Sequence, residues 1–148
     1  MSPNPQEAIG RTAANQLSGL RVLVVDDHED ARELVAFVLE RAGAAVERVD
    51  SAEKARSVLA KEPLDVVVSD IGMPIEDGYE LIRKVRRGEV APNVRMIPAL
   101  AVTAFSTEKD RKQALIAGFQ EHLAKPIDSE QLVAAVARIV GASPTHSA

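Results

Sequence analysis

The sequence predicts a doubly wound α/β fold, five parallel strands in the order 2-1-3-4-5 with helices on both faces. Three observations carry that prediction. Short apolar runs alternate with amphipathic stretches five times along the chain, the pattern of strand–helix units feeding a parallel sheet. The first, third and fourth runs are almost wholly apolar, as strands covered on both faces must be, while the second and fifth are shorter and more polar and belong at the edges. The right-handed crossover rule then leaves 2-1-3-4-5 as the simplest order.

The first strand is Val22-Leu23-Val24-Val25. The first helix comes next, with Asp30 as its expected cap and Ala31, Leu34, Val35, Val38, Leu39 and Ala42 as its inward stripe, ended by Gly43. Val46 to Val49 forms the second strand, with polar Glu47 and Arg48 inside it. Ser51 caps the second helix, which turns Ala52, Ala55, Val58 and Leu59 inward. Val66-Val67-Val68 is the third strand, and Tyr79 to Arg87 the third helix, with Leu81, Ile82 and Val85 inward. The fourth strand runs from Ala99 to Val102, with Pro98 tolerated at its start. Thr107 to Ala117 is the fourth helix, stopped by Gly118, and its charged run Glu108 to Lys112 reads as a solvated face. His122 to Ala124 is the fifth strand. Asp128 caps the last helix, which buries Leu132, Val133, Val136, Ile139 and Val140 and ends at Gly141.

Polar, Pro-containing residues before about Ser18 read as a linker, so residues 1–19 are expected to be a tail, 20–140 one domain and 141–148 a second short tail. One domain suits a chain of 148 residues. With 46% hydrophobic residues but only 3% aromatic, the core must be built from Val, Leu, Ile and Ala. The absence of cysteine excludes disulfides, thiol chemistry and Cys-ligated zinc. A net charge of −4 argues against direct nucleic-acid binding, which needs a basic face. No apolar run approaches the roughly 20 residues of a membrane span, and the N-terminus has no signal-peptide pattern, so a soluble, cytoplasmic protein without membrane insertion is expected.

The residues with chemistry to offer stand just past the apolar runs. Asp26 and Asp27 come after the first strand, Asp70 after the third, Thr103 after the fourth and Lys125 after the fifth. Parallel strands put all of them at one end of the sheet, where ligands bind beside the reversal of strand order. Two like charges about 4 Å apart repel by roughly 4 kcal/mol at an effective dielectric near 20, so three clustered carboxylates call for a cation. Oxygen ligands without Cys favour a hard ion, and Mg²⁺ suits few carboxylates and several waters. Lys125 is a point charge suited to a phosphoryl oxygen, and Thr103 adds a hydroxyl. A metal ion, an ammonium and a hydroxyl around one carboxylate would stabilise a transferring phosphoryl group, with the carboxylate as nucleophile.

The segments Val24-Val25-Asp26-Asp27, Ser69-Asp70-Ile71-Gly72-Met73-Pro74 with Asp77-Gly78, Val102-Thr103-Ala104 and Ala124-Lys125-Pro126 resemble the response-regulator receiver family of two-component systems, over about Leu20 to Val140. The resemblance implies a flavodoxin-like receiver fold and a phosphorylation-dependent switch. It makes Asp70 the phosphoacceptor, Asp27 a direct Mg²⁺ ligand, Asp26 its acidic partner acting through water, and the Gly72 backbone carbonyl a third protein ligand. Thr103 becomes the switch hydroxyl and Lys125 the cation that pairs with the phosphoryl group, with Lys125-Pro126 cis. Gly72 and Phe105 would flank the phosphoryl group and tune its hydrolysis. His122 stands where the family often has Tyr or Phe, which predicts an altered switch: a ring swinging between exposed and buried positions, with weak pH sensitivity because imidazole ordinarily titrates near neutrality.

The implied partners are a histidine kinase or a histidine phosphotransfer domain as donor, and an unnamed effector reading the helix 4–strand 5–helix 5 face. A homodimer is compatible with this scheme. No output domain is expected within these residues, and the chemistry is that of a switch rather than an enzyme turning over a separate substrate. Two other readings stand beside it: an aspartyl-nucleophile phosphatase, which usually needs a second acid where Gly72 lies, and a pseudo-receiver that only binds. The lead-in Leu17 to Leu23 and the stretch Gly118 to Pro126 look most like receivers attached to hybrid sensor kinases. Asp77-Gly78 and Met73-Pro74 read as loop geometry, Glu29 as a helix-start charge, and His28 and His146 as surface residues.

Overall fold

The computed structural model describes residues 15–104 and 107–141. Five parallel strands form one sheet in the order β2-β1-β3-β4-β5, as the apolar pattern predicts. The strands are β1 (Arg21–Val25), β2 (Ala45–Val49), β3 (Val66–Ser69), β4 (Ala99–Thr103) and β5 (Glu121–Ala124). The helices between and after them are α1 (Glu29–Arg41), α2 (Ala52–Lys61), α3 (Gly78–Arg86), α4 (Glu108–Ala117) and α5 (Ser129–Gly141), with a short 3₁₀ turn at Pro92–Val94.

Alternation along the central strands builds two cores from one sheet. Leu23, Val25, Val67, Ala99 and Ala101 face α2, α3 and α4, packing on Ala55, Leu59, Leu81, Ile82, Val85 and Ala114. Val22, Val24, Val66, Val68, Leu100 and Val102 face α1 and α5, packing on Val35, Leu39, Leu132, Ala135 and Val136. Each such Val, Leu or Ile side chain taken fully from water contributes about 1.5–3 kcal/mol before the cost of ordering it. Residues of β2 and β5 are at most half-buried, as edge strands should be.

Helix ends obey their local chemistry. Ser51 Oγ accepts the Lys54 N–H at 3.2 Å, and Asp128 Oδ1 accepts the Gln131 N–H at 3.0 Å, so both expected caps form. Asp77 with Glu80, and Thr107 with Asp110, make reciprocal capping boxes at α3 and α4. The expected cap of α1 is corrected: the helix begins at Glu29 with His28 at the cap position, and Asp30 lies inside the first turn, where its charge favours the positive end of the helix dipole. Gly43 ends α1 at φ 101°, a left-handed backbone that glycine adopts without penalty.

Two packing expectations also change. Leu34 is exposed and Ala36 is fully buried, so the buried arc of α1 is centred on Val35, Val38 and Leu39, one position round from the expected stripe. Leu17, placed in the N-terminal linker by its polar neighbours, is fully buried against the α1/α5 core, and its N–H donates to the Ala42 carbonyl at 2.9 Å. Among the described residues no helix is long and apolar enough to cross a membrane.

Candidate functional site

The sheet delivers the acidic residues to one place because its register is tight. Val25 pairs with Ser69 across β1 and β3, and the Asp70 N–H donates to the Val25 carbonyl at 2.8 Å. Asp26, Asp27 and Asp70 therefore leave adjacent central strands side by side. On the other flank Thr103 pairs with Ala124, and the Lys125 N–H donates to the Thr103 carbonyl at 2.9 Å. Lys125-Pro126 is cis, as expected.

The side chains converge. Lys125 Nζ lies 3.0 Å from Asp26 Oδ2 and 3.5 Å from Asp70 Oδ2. Burial draws the ammonium's pKa down, but the Asp26 hydrogen bond and the field of Asp70 outweigh it and hold Lys125 above the ordinary lysine value. Asp26 is 3% and Asp70 6% exposed, so these are desolvated carboxylates with one cation between them. Asp70 Oδ1 accepts the Ile71 N–H at 2.7 Å, leaving Oδ2 as the oxygen turned towards Lys125. Thr103 is buried at the end of β4.

Gly72 is exposed two residues past Asp70. The loop that carries it is anchored by the Gly78 N–H, which donates to the Ile71 carbonyl at 2.8 Å. This close approach needs glycine: a Cβ on Gly78 would collide with the Asp70 carbonyl oxygen and stand 2.8 Å from Ile71 Cα. Asp77-Gly78 is thus structural, as expected, and structural for the backbone at Asp70 in particular. His122 is half-buried on β5. Asp110, held below the ordinary aspartate range first by Thr107 hydrogen bonds, also feels His122 through space. Phe105 lies outside the described residues.

His28 is a surface residue, as expected, with a largely exposed side chain, and its Nδ1 lies 3.4 Å from Asp26 Oδ1 and 3.3 Å from Asp27 Oδ1. Asp26, Asp27, His28 and Asp70 each offer one ligand atom, and the four lie within 4.8 Å of one another. Asp27 Oδ1 is buried and accepts no hydrogen bond among the described residues. A buried carboxylate oxygen that accepts no hydrogen bond, inside a cluster of carboxylates, fits a divalent cation, which would satisfy the lone pair and offset the repulsion.

Comparisons with known proteins agree with this geometry. The model of the response regulator receiver domain matches residues 22–137. An uncharacterized 14.6 kDa protein of Leptolyngbya boryana is 41% identical over 128 residues, covering 86% of this chain and 95% of that one. Hybrid signal transduction histidine kinase D of Dictyostelium discoideum is 32% identical over 139 residues, covering 89% of this chain but 9% of that protein. Among solved structures, the receiver domain of a Pseudomonas aeruginosa sensor histidine kinase, with a magnesium ion coordinated in its active site cleft, superposes with TM-score 0.75 at 28% identity, covering 84% of this chain and 99% of that one. The chemotaxis response regulator CheY4 of Vibrio cholerae gives TM-score 0.72 at 28% identity, covering 81% and 98%. With five strands in the same order and the acidic residues gathered at their carboxyl ends, the chain belongs to the response regulator receiver family of two-component signalling.

Proposed function

We propose that this receiver accepts a phosphoryl group onto Asp70 from a phosphohistidine on a histidine kinase or phosphotransfer domain, and that the acyl phosphate then biases the α4–β5–α5 surface read by a partner. The observation that supports it best is the arrangement around Asp70: a buried carboxylate with one oxygen bonded to the Ile71 N–H and the other facing Lys125 at 3.5 Å. Oδ2 attacks phosphorus, the phosphorus–nitrogen bond of the donor breaks, and the imidazole leaves with the bonding pair and takes a proton. Lys125, held protonated by its acidic neighbours, pairs with a phosphoryl oxygen, and the Thr103 hydroxyl donates to another.

Asp26, Asp27, Asp70 and the Gly72 carbonyl would hold Mg²⁺, which when bound supplies charge neutralisation for the phosphoryl oxygens. Backbone coupling supports the proposed output. Lys125 and Thr103 are joined through their main chains, and β5 packs beside α4, so a change at Thr103 or Lys125 bears directly on this face. A switch of this kind works by differential stabilisation of two conformers. The chain is a stoichiometric acceptor that hydrolyses its own acyl phosphate, rather than an enzyme with a separate substrate. A phosphatase would need an acid where Gly72 stands.

Incubation with phosphoramidate, read by intact mass, tests the reading. Wild type should gain one phosphoryl group with Mg²⁺ and none without it, and Asp70→Ala should gain none. Equal uptake by Asp70→Ala, or the same uptake in EDTA, would refute it.

A further inference from the structure

The sequence alone assigns the cation site oxygen ligands only, yet the fold brings a nitrogen to it. His28 Nδ1 is 3.4 Å from Asp26 Oδ1 and 3.3 Å from Asp27 Oδ1. Two ligands side by side on an ion with bonds of about 2.1 Å lie about 3.0 Å apart, and opposite ones about 4.2 Å. The spacing of the four ligand atoms, all within 4.8 Å, is therefore that of a slightly open coordination shell.

Two further features turn the ring towards this shell. His28 holds the cap position of α1 with extended backbone, yet its side chain makes no capping hydrogen bond. Its own N–H is pinned to Asp26 Oδ1 at 2.9 Å, which fixes where the ring begins. The ring thus leans on the carboxylates and leaves the helix end alone. Beside it lies the buried Asp27 Oδ1 that accepts no hydrogen bond among the described residues.

We propose that His28 supplies an imidazole nitrogen to this site, so that it takes a borderline transition-metal ion such as Zn²⁺, Co²⁺ or Ni²⁺ more tightly than an all-oxygen site would. This rests on reading the acidic cluster as a cation site. Imidazole suits those metals and adds little for Mg²⁺, which prefers oxygen and keeps its waters. The exposed side chain can complete the shell without disturbing the core. It also gives the chain a means of discriminating between cations that carboxylates alone lack.

The test compares the full chain with His28→Gln. Affinities for Mg²⁺ and Ni²⁺ are measured by calorimetry, and the His28 ring nitrogens are tracked by long-range ¹H–¹⁵N NMR as Zn²⁺ or Mg²⁺ is added. The chain has only three histidines, so the variant isolates this one. We expect Ni²⁺ to bind at least about tenfold more weakly to His28→Gln, since even indirect partners of metal ligands are worth that much. Mg²⁺ affinity should change by less than about twofold, which also verifies folding. The Nδ1 resonance should move to the position of a metal-bound imidazole nitrogen with Zn²⁺ and not with Mg²⁺. Equal Ni²⁺ affinity in both proteins with a static Nδ1 signal overturns the proposal and leaves the Mg²⁺ reading intact. Ni²⁺ and Zn²⁺ bound through His28 with no Mg²⁺ binding supports the proposal and overturns the Mg²⁺ reading. Binding of none of the three overturns both.

Discussion

Glu76 lies in the loop between Asp70 and α3, and its carboxylate is held from two helices. Arg56 of α2 grips it with two hydrogen bonds, Nε to Oε2 at 3.1 Å and an η-nitrogen to Oε1 at 2.7 Å. Lys84 of α3 stands 3.3 Å from Oε1. Burial pushes the Glu76 carboxyl up, but Arg56 and then Lys84 outweigh it and hold the group below the ordinary glutamate range. Removing one partner of a fully buried pair costs about 3–5 kcal/mol because the survivor is stranded, whereas exposed pairs are worth at most about 1 kcal/mol. Arg56 and Lys84 each keep 33% of their side chains in solvent and can turn to water, so Glu76→Ala should cost about 2 kcal/mol. Glu76→Met, which fills the space without charge, should cost under about 1 kcal/mol. In an Arg56→Ala/Glu76→Ala double-mutant cycle by urea unfolding, the bidentate geometry should give a coupling of about 1–1.5 kcal/mol at pH 7. The folded-state pKa lies below the unfolded one, so this stability is complete above the unfolded value near about 4.3 and is lost as the pH falls through the folded value. A coupling under about 0.5 kcal/mol at pH 7, or one unchanged as the pH is lowered from 7 to about 2, would refute the reasoning.

Three other perturbations draw on the same geometry. Gly78→Ala should destabilise the fold by about 1–3 kcal/mol and weaken Mg²⁺ binding, because the added Cβ meets the backbone of Asp70 and Ile71; denaturation and Mg²⁺ titration check the two effects separately. Ile75→Asn should stabilise by about 0.5–1 kcal/mol, since a fully exposed β-branched residue at φ 72° carries strain that asparagine carries more easily, and urea unfolding reads the difference. Mg²⁺ at about ten times its dissociation constant should raise stability by about 1.4 kcal/mol, an increment that EDTA removes and that Asp27→Asn should largely lack, measured as a shift in the unfolding midpoint.

How much was legible in the sequence depended on how local each signal is. Strand order needed only the polarity of each run, because burial on two faces writes itself into consecutive residues such as Val66-Val67-Val68. The site was legible for the same reason, since Asp26, Asp27, Asp70, Thr103 and Lys125 each stand at or just past a strand end. The approach of His28 to Asp26 and Asp27 was not legible because it depends on which way a ring turns at a helix cap, and histidine carries no capping signal. Leu34 was misplaced because the expected stripe and the buried arc differ by one position, and Ala36, too small to mark a stripe, was the clue. Glu76 and Arg86 had no local signal at all. Glu76 meets a residue 20 positions away, and Arg86 braces the Gly118 carbonyl at 3.0 Å and Gln120 Oε1 at 3.2 Å from more than 30 positions away.

On the proposed function, the electrostatics of the pocket imply that Lys125 alone would not be enough for phosphoryl acceptance. Three carboxylates and one ammonium leave it two negative charges in excess. Neighbouring carboxylates at about 4 Å repel by roughly 4 kcal/mol even at an effective dielectric near 20, and Asp26 and Asp70 have little water around them. Lys125 is nearer Asp26 than Asp70, so its charge is largely committed before any phosphoryl group arrives. An acyl phosphate on Asp70 would replace one negative charge with nearly two, taking the excess towards three. A divalent cation held by the same carboxylates brings the starting sum to zero and leaves Lys125 able to turn from Asp26 to a phosphoryl oxygen. On this arithmetic the cation and the lysine divide the work. The metal would offset the standing charge of the acids and Lys125 would meet the charge that the phosphoryl group adds, so losing either should impair uptake even with Asp70 intact.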